Sequence, residues 1–369
     1  MQDIDKSLFF AFLGITLFGL IMMSSISVAG SFEVTGRNDY YFWRHLLYII
    51  LGIPVFLIAL RFPYEWLRRF SPLIFVFAIT LLLMVLVVGQ DFGTAAKSWL
   101  KIGPVSLQPT EIAKLAIVIF LSAVFSSNKN KIGTLQGGLI PFIFILGLPA
   151  LLIMAQPDFG SLFVIMFVSG TLYFVAGADL KHFFGGMFAA IIGGTMVILT
   201  NPYIQKRFAI FVNPDLDPLG AGFQVKQALI AIGSGGLFGK GFQNSIQKFD
   251  YLPEVQSDTI FSAISEEMGF FRILALIGVY FFIGYRGFFI AKNAPDKFTQ
   301  LLAVGLTTWI LGQALINIGV NLALLPNTGI TLPFLSYGGS SLWASFAAMG
   351  VLLHISANIK MPHKRRYFL

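Results

Sequence analysis

The chain has 369 residues, of which 56% are hydrophobic and 11% are charged, against about 25% charged residues in an average soluble domain. A water-soluble protein of this length could not cover so much apolar surface, so composition excludes a soluble enzyme and a disordered chain. Cysteine is absent, which excludes disulfides and thiolate chemistry, and the scattered positions of the four histidines argue against a histidine metal cluster.

Ten segments of the chain are apolar enough to cross a membrane, which needs roughly 20 apolar residues per helix. We therefore predict an all-α polytopic membrane protein with about ten transmembrane helices, forming one integral membrane domain over residues 1–369. The predicted spans are approximately Leu8–Ser27, His45–Leu60, Pro72–Val88, Thr110–Ser126, Leu139–Met154, Ser161–Ala178, Phe183–Thr200, Phe271–Ala291, Leu301–Leu325 and Ser341–Ala357.

The net charge of +8 indicates topology rather than nucleic-acid binding. If both termini are cytoplasmic, the inner segments carry 14 Lys or Arg and the short outer loops carry four. This asymmetry is the positive-inside signal. Basic residues on the inner face also attract anionic membrane lipids. We therefore expect a multi-pass protein of the cytoplasmic membrane, with no nucleic acid among its partners.

One outer loop, about residues 201–257, lies between the seventh and eighth predicted spans and is unusually long. Loops of this length are usually functional. It carries turn signals around Asn213–Gly220, then a predicted short amphipathic helix near Phe223–Ile232. A Gly-rich stretch, Gly233–Gly241, follows.

Ionisable residues at membrane depth are the candidates for function, and the first pair opens the fourth span. Thr110 is a predicted N-cap there. Glu111 and Lys114 are three residues apart and share a helix face. They form either a structural ion pair inside the bundle or a cation that faces a polar cavity near the outer surface.

A second candidate lies in the short outer link Gln156–Ser161 between the fifth and sixth spans. Asp158 is expected to cap the sixth helix, and a role in the site is the alternative.

A third candidate, Asp258, stands just before an apolar helix at the end of the long loop. It is either an N-cap or a carboxylate that works as a general base, because partial burial would raise its pKa. Glu266 and Glu267 follow and would need partners inside the bundle, for which Arg272 is the candidate.

A fourth region, Leu325–Ser341, combines two prolines, three glycines and several hydroxyls before the last span. Irregular backbone at this depth must be buried in protein or line a cavity. The segment is therefore either a structural hairpin or a source of N–H and hydroxyl groups for a polar ligand. Walker A, zinc-protease and nucleophile-elbow patterns are all absent from the sequence.

In this order on ten spans, these stretches resemble the SEDS family (shape, elongation, division and sporulation) of bacterial cell-wall proteins. The motifs that carry the resemblance are Ser24–Ser27, Lys97–Leu100, Gln108–Glu111, Gln156–Gly160, Asp217-Pro218 with Gly222–Gln224, Gly235–Gly241, Tyr251–Glu254, Glu266–Gly269 and Pro333–Ser341. Each motif alone is weak evidence, whereas the ordered set is specific and covers nearly the whole chain.

The resemblance implies a peptidoglycan glycosyltransferase that polymerises lipid II on the outer face of the bacterial cytoplasmic membrane. It also implies a partner, a class B penicillin-binding transpeptidase, and other division or elongation proteins. The family's catalytic aspartate matches Asp258. Asn244–Lys248 and Leu324–Phe334 look more like the division-type FtsW than the elongation-type RodA. Gln256-Ser257 and Asp250 depart from the family pattern and weaken that distinction.

The product linkage of the family implies inversion, so one displacement and one base suffice. Asp258 would take the proton of the acceptor 4-hydroxyl, while cations stabilise the departing pyrophosphate. A divalent cation, Mg²⁺ or Mn²⁺, could assist, and no protein metal site is predicted. The predicted substrate-binding residues are Glu111, Lys114, Asp158, Arg207, Gln224, Lys240, Lys248, Ser336 and Ser340. A RodA-like polymerase, a lipid II flippase and a non-catalytic division scaffold are the alternatives.

Overall fold

The computed structural model describes residues 4–90, 98–103, 105–128, 131–249 and 252–359. Lys97, Asp250, Tyr251 and the basic residues at 360–366, all used in the sequence analysis, lie outside the described residues. Within them, ten helices are long and apolar enough to cross a membrane, which confirms the predicted number.

The chain is almost entirely helical, with one small antiparallel hairpin on the outer side. The elements are α1 Lys6–Ile26, α2 Val28–Thr35, α3 Tyr40–Arg61, α4 Tyr64–Val88, β1 Leu100–Ile102, β2 Val105–Leu107, α5 Pro109–Ser127, α6 Ile140–Ala155 preceded by a π-helical turn Leu135–Leu139, α7 Phe159–Ala176, α8 Leu180–Thr200, α9 Pro202–Val212, a 3₁₀ turn Pro214–Leu216, α10 Ala221–Ser234, α11 Ile260–Lys292, α12 Lys297–Asn321 and α13 Gly339–Ala357. The spans are α1, α3 to α8 and α11 to α13.

Burial is uneven across the bundle. Most side chains of α5, α12 and α13 are buried, so these helices form its centre. At the other extreme, the described side chains of α8 include none that is buried. Large apolar side chains are exposed along the outer helices, as expected for a surface that faces lipid.

The eighth span differs most from its prediction. It was expected over Phe271–Ala291, but α11 begins at Ile260 and contains a break at Gly269, whose φ is 73° and ψ is 176°. A span predicted from apolar residues cannot include the charged Glu266 and Glu267. In the folded protein both carboxylates are buried, and the helix continues through them. The long outer loop is also more ordered than expected. α10 covers the helix predicted near Phe223–Ile232, and α9 was not predicted.

The start of α5 corrects a smaller prediction. Pro109 occupies the first helical turn, so the N-cap is Gln108 rather than Thr110. Proline is favoured there because its missing N–H would be unpaired anyway.

Candidate active site

The turn that precedes α11 presents Asp258. Thr259 Oγ1 donates a hydrogen bond to the Pro253 carbonyl at 2.8 Å and closes the turn. Within the turn, Glu254 has a positive φ of 51°. Thr259, not Asp258, occupies the N-cap position of α11, and it makes no side-chain cap bond. The alternative role of Asp258 as an N-cap is therefore wrong, and its carboxyl is not used by the helix.

Two asparagines of α12 hold the backbone of Asp258. The Asn317 and Asn321 side-chain amides donate to the Asp258 carbonyl at 2.8 and 2.9 Å. The Ser262 hydroxyl donates to Asn321 Oδ1 at 2.6 Å, and Asn317 also donates to the Ile330 carbonyl at 2.7 Å. Because these groups are buried and paired, the turn is fixed to α11, α12 and the loop before α13.

The Asp258 carboxyl has the environment of a general base. The residue is partly exposed, yet its Oδ1 is buried and has no hydrogen-bond partner among the described residues. Burial and the neighbouring negative charge of Glu254 raise the pKa of Asp258 to about 7, against the lowering influence of Arg207 and the Gln224 amide. A base with a pKa near the working pH is the most effective for proton transfer.

Two predicted substrate-binding residues, Arg207 and Gln224, lie near this carboxyl, since both lower its pKa. Arg207 lies on α9 and donates to the Asn327 carbonyl at 2.8 Å. The Asn327 amide in turn donates to Gln224 Oε1 on α10 at 2.7 Å. The guanidinium also lies 4.8 Å from the centre of the Tyr203 ring. A cation and an amide therefore lie beside the acidic side chain, and Asn327 links them.

Glu111 and Lys114 form the ion pair that one of the two alternatives predicted. Their side chains are buried, with Lys114 Nζ 2.8 Å from Glu111 Oε1. Lys114 also donates to Gln313 Oε1 at 2.7 Å and lies 5.4 Å from the centre of the Trp309 ring. Gln313 in turn donates to the Thr331 carbonyl at 3.0 Å. The pair therefore lies inside the bundle and reaches the loop before α13 through one amide.

Asp158 caps α7, as predicted, by accepting a hydrogen bond from the Ser161 N–H at 3.1 Å. It also accepts one from the Thr110 hydroxyl at 3.1 Å. A Cβ on Gly160 would approach the Thr328 carbonyl to 2.5 Å, so glycine is required where the two loops meet. This contact places the Asp158 link against the loop that also bonds Arg207.

Lys240 and Lys248 are paired with carboxylates of α11. Lys240 Nζ lies 2.6 Å from Glu266 Oε1, and Lys248 Nζ lies 2.9 Å from Glu267 Oε1. The Ser25 hydroxyl lies 2.6 Å from Glu267 Oε1 and joins α1 to this group. Substrate binding by the two lysines stays a prediction.

The prediction that Arg272 pairs with these glutamates was wrong. Its guanidinium donates instead to the Phe238 and Met268 carbonyls, at 2.7 and 3.2 Å. The bends at Gly239 and Gly269 bring Lys240, rather than Arg272, to Glu266. Sequence distance along one helix could not show that pairing.

Ser336 and Ser340 are buried and used within the protein. Ser336 Oγ accepts a hydrogen bond from the Leu332 N–H at 2.8 Å, and Ser340 Oγ accepts one from the Gln108 N–H at 3.2 Å. The first bond closes a turn within the segment before α13, and the second ties the start of α13 to the start of α5. A contact of either hydroxyl with substrate stays a prediction.

Two asparagines of α12 that hold the Asp258 backbone were not among the residues predicted from the sequence. Asn317 and Asn321 are four residues apart on a buried span, so both amides face the same side. Polar side chains inside a transmembrane helix are costly unless they are paired. That rule, applied to amides as well as to charges, would have found them.

Among the described residues, no group of three His, Cys, Asp or Glu side chains comes close enough to hold a metal ion. The divalent cation considered from the sequence stays a prediction.

Comparisons with known proteins agree over nearly the whole chain. A family model described as "Cell cycle protein", covering FtsW, RodA and SpoVE, matches residues 5–361. "Probable peptidoglycan glycosyltransferase FtsW" of Idiomarina loihiensis is 35% identical over 98% of this chain and 88% of its own length. "Stage V sporulation protein E" of Bacillus subtilis is 40% identical over 92% of this chain and 93% of its own.

Solved structures give the same result for the fold. A chain from a structure described as "Structural coordination of polymerization and crosslinking by a peptidoglycan synthase complex" has a TM-score of 0.80 at 26% identity, covering 96% of this chain and 98% of its own. The rod shape determining protein RodA of Thermus thermophilus has a TM-score of 0.73 at 26% identity, covering 97% and 98%.

Proposed function

The chain belongs to the FtsW, RodA and SpoVE family of cell cycle proteins, and we propose that it polymerises lipid II through general-base catalysis by Asp258. It is a multi-pass membrane protein and a peptidoglycan glycosyltransferase, the activity in the names of its FtsW relatives. The observation that carries the catalytic proposal is the buried Asp258 Oδ1, which has no hydrogen-bond partner in the described part of the chain and lies in a site that also contains Arg207.

In the proposed step, the sugar 4-hydroxyl of the acceptor attacks the anomeric carbon of the donor. Asp258 takes the hydroxyl proton while the new carbon–oxygen bond forms. The bond from the anomeric carbon to the pyrophosphate breaks on the opposite face and inverts the configuration. The pyrophosphate leaves with the electron pair, and its negative charge is stabilised by the Arg207 guanidinium.

The rigidity of the site supports this step. Asn317 and Asn321 fix the Asp258 backbone, and the bond to Asn327 holds one edge of the Arg207 guanidinium. A base held in place does not have to be ordered again in each cycle. Because the pKa of Asp258 is raised to about 7, we expect the rate to rise with pH through that range as the carboxyl loses its proton.

The same proposal includes the setting of the reaction. The excess of basic residues in the predicted inner segments supports cytoplasmic termini and an outer position for Asp258. The match to a chain of a peptidoglycan synthase complex supports a class B penicillin-binding transpeptidase as partner. The FtsW relatives support a role in cell division. Growth of FtsW-depleted and RodA-depleted hosts carrying this chain would test that role, because only the matching host should recover.

The decisive experiment is Asp258→Asn in protein purified with its transpeptidase partner. Replacing the base by an amide should lower glycan-chain synthesis from lipid II by ~10²–10⁴-fold. Asp215→Asn is the matched control, because Asp215 is an exposed acid of the same outer loop. Normal synthesis by a folded Asp258→Asn variant would refute the base assignment.

A further inference from the structure

The lysines of the long outer loop are exposed in its first half and turned towards the protein in its second half. In the first half, the Lys206–Asp217 and Lys226–Asp215 ion pairs lie on the surface. In the second half, the segment Gly235–Phe249, called here the outer hairpin, turns its two lysines towards α11. The side chain of Lys248 is only 2% exposed. The first pattern is typical of a surface in water and the second of a segment in an apolar environment.

The outward surface of the outer hairpin is apolar. Five large apolar side chains are exposed: Leu237, Phe238, Phe242, Ile246 and Phe249. Phe238, at 71%, is the most exposed of them. The exposed polar side chains among residues 235–249 are the uncharged amides of Gln243 and Asn244.

The backbone of the outer hairpin is hydrogen-bonded to α11 although it is irregular. The Lys240 N–H donates to the Glu266 carbonyl at 2.9 Å, and the Phe270 N–H donates to the Gly236 carbonyl at 2.9 Å. Because α11 is broken at Gly269, the N–H groups of Phe270 and Phe271 are not bonded within the helix and donate to carbonyls of the outer hairpin. An irregular segment can lie beside lipid only if its polar backbone groups are paired in this way.

The contacts between α1 and α11 indicate the depth of the outer hairpin relative to the membrane. At one end of the bundle Arg286 of α11 bonds Asp5, which precedes α1, and at the other end Glu267 of α11 bonds Ser25 of α1. With a rise of about 1.5 Å per residue, both pairs of positions are about 30 Å apart. That distance equals the thickness of the hydrocarbon core, roughly 30 Å. The outer hairpin, which is bonded to α11 beside Glu267, therefore lies at the outer edge of the hydrocarbon.

The apolar surface of the outer hairpin continues that of the eighth span. The Phe238 and Phe271 rings are 5.6 Å apart, and Phe270, Phe271 and Leu274 are exposed on α11. Arg272 is exposed at the same level, and its guanidinium donates to the Phe238 and Met268 carbonyls. The exposed apolar surface of α11 thus extends onto the outer hairpin, with Arg272 as the charged side chain at the junction.

From this arrangement we propose that the outer hairpin Gly235–Phe249 is inserted into the outer leaflet of the bilayer. Phe238, Phe242, Ile246 and Phe249 lie among the acyl chains, while Gln243 and Asn244 lie at the level of the headgroups. The hairpin holds the following turn, which carries Asp258, at the membrane surface. Lipid is the proposed occupant of this surface, because the surface continues the exposed apolar side chains of a predicted membrane span.

The absence of cysteine from the chain makes a depth measurement direct. Single cysteines from Phe238→Cys and Ile246→Cys, labelled with an environment-sensitive fluorophore, report the hairpin in vesicles of phosphatidylethanolamine and phosphatidylglycerol. Leu219→Cys is the aqueous control, since Leu219 is 93% exposed in the first half of the loop. Leu274→Cys is the control within lipid.

We expect the labels at 238 and 246 to emit at shorter wavelength than the label at 219. Lipids brominated on the acyl chains should quench them as they quench the label at 274, and aqueous iodide should quench mainly the label at 219. Equal iodide quenching at 238 and 219 would overturn the proposal. Protection of 238 from both quenchers, in vesicles containing this chain alone, would also overturn it, because it would indicate contact with protein.

The measurement is independent of catalysis. Phe242→Cys provides a second position if Phe238→Cys does not fold, as judged by its elution from size-exclusion chromatography in detergent. An inactive Asp258→Asn variant should give the same quenching pattern. Failure of the depth proposal and failure of the proposed function are therefore distinguishable.

Discussion

Asp258 and Glu267 are nine residues apart, and their carboxyls differ in the hydrogen-bond partners that surround them. Glu267 is fully buried, with Lys248 Nζ and the Ser25 hydroxyl within hydrogen-bond distance of its oxygens. Asp258 has one buried oxygen without a partner in the described structure, and its pKa is raised to about 7. Burial is therefore common to a structural carboxylate and a reactive one, and the difference lies in the partners that each receives.

The partners of Glu267 join three parts of the chain. Lys248 comes from the outer hairpin, Ser25 from α1 and Glu267 from α11, and Lys248 also donates to the Gln243 carbonyl at 2.8 Å. All three protons of the ammonium group are thus used. A complete set of partners stabilises the fold, whereas the incomplete set around Asp258 leaves a group able to accept a proton.

The largest expected effect follows from removing one partner of the structural pair. Lys248→Met leaves the Glu267 carboxylate buried and uncompensated, so we expect a loss of about 3–5 kcal/mol in the free energy of unfolding. Thermal unfolding of the purified protein in detergent measures it.

The matched control is the double variant Lys248→Met/Glu267→Gln. It removes both charges and should recover most of the stability, because no uncompensated charge remains. If Lys248→Met unfolds like the unsubstituted protein, the pair is not what holds the outer hairpin, and the contrast with Asp258 loses its basis.

The second effect concerns Asp258 itself and depends on pH. Its folded-state pKa of about 7 lies above the ordinary 3.8. As pH rises from about 4 to about 7, the unfolded chain releases this proton while the folded protein keeps it, so the carboxyl lowers the stability increasingly. Asp258→Asn removes that penalty. The variant should gain at most about 4 kcal/mol at pH 8, from about 1.4 kcal/mol per pKa unit.

Unfolding temperatures of both proteins at pH 5 and pH 8 measure this gain. The difference between variant and parent should be small at pH 5 and larger at pH 8. A difference that does not change with pH would show that Asp258 is not a buried acid with a raised pKa. The proposed contrast between Asp258 and Glu267 would then be wrong for Asp258.

A third, smaller effect tests the support of the reactive carboxyl. Asn321→Leu keeps the shape of the side chain but removes the donor to the Asp258 carbonyl. A small displacement of a catalytic group can lower a rate by ~10²-fold, and Asn317 still holds the same carbonyl, so we expect a loss of roughly 10–100-fold in kcat. The KM for lipid II should change little, since the amide does not contact substrate.

Thr308→Val is the control for this variant. Thr308 is buried on the same helix, and its hydroxyl has no hydrogen-bond partner within the described residues. Its replacement should leave the rate unchanged. An equal loss in both variants would mean that any change of polarity in α12 disturbs the site, and the two asparagines would have no specific role.

Much of the fold followed from the sequence because lipid imposes simple rules. The ten spans were predicted from apolar length alone, and the Asp158 cap from its position before an apolar run. Among the site residues, Asp258, Arg207 and Gln224 were named in advance and come together in the structure. Asp258 was named from the family resemblance, whereas Arg207 and Gln224 were named only as candidate ligands of the pyrophosphate and of sugar or phosphate oxygens.

The pairing of charges could not be predicted from the sequence. Lys240 and Lys248 looked like substrate-binding cations, and Glu266 and Glu267 seemed to need Arg272. The outcome depends on the bends at Gly239 and Gly269, where positive φ angles fold the outer hairpin against α11. Such a pairing between distant segments is set by tertiary packing and leaves no periodic signal.

The smallest expected effect is that of an exposed lysine in the same outer loop. Lys226 pairs with Asp215, but its side chain is 43% exposed and that of Asp215 is 76% exposed. Water screens both charges, so Lys226→Met should change the free energy of unfolding by less than about 1 kcal/mol. Added salt should reduce even that difference, because exposed pairs are screened. Lys226→Met and Lys248→Met make the same chemical change to two lysines of the same outer loop, each of which is paired with an acid. A similar loss in both would mean that burial is not what distinguishes these pairs. A loss confined to Lys248→Met would place the difference in the partners and surroundings of each charge.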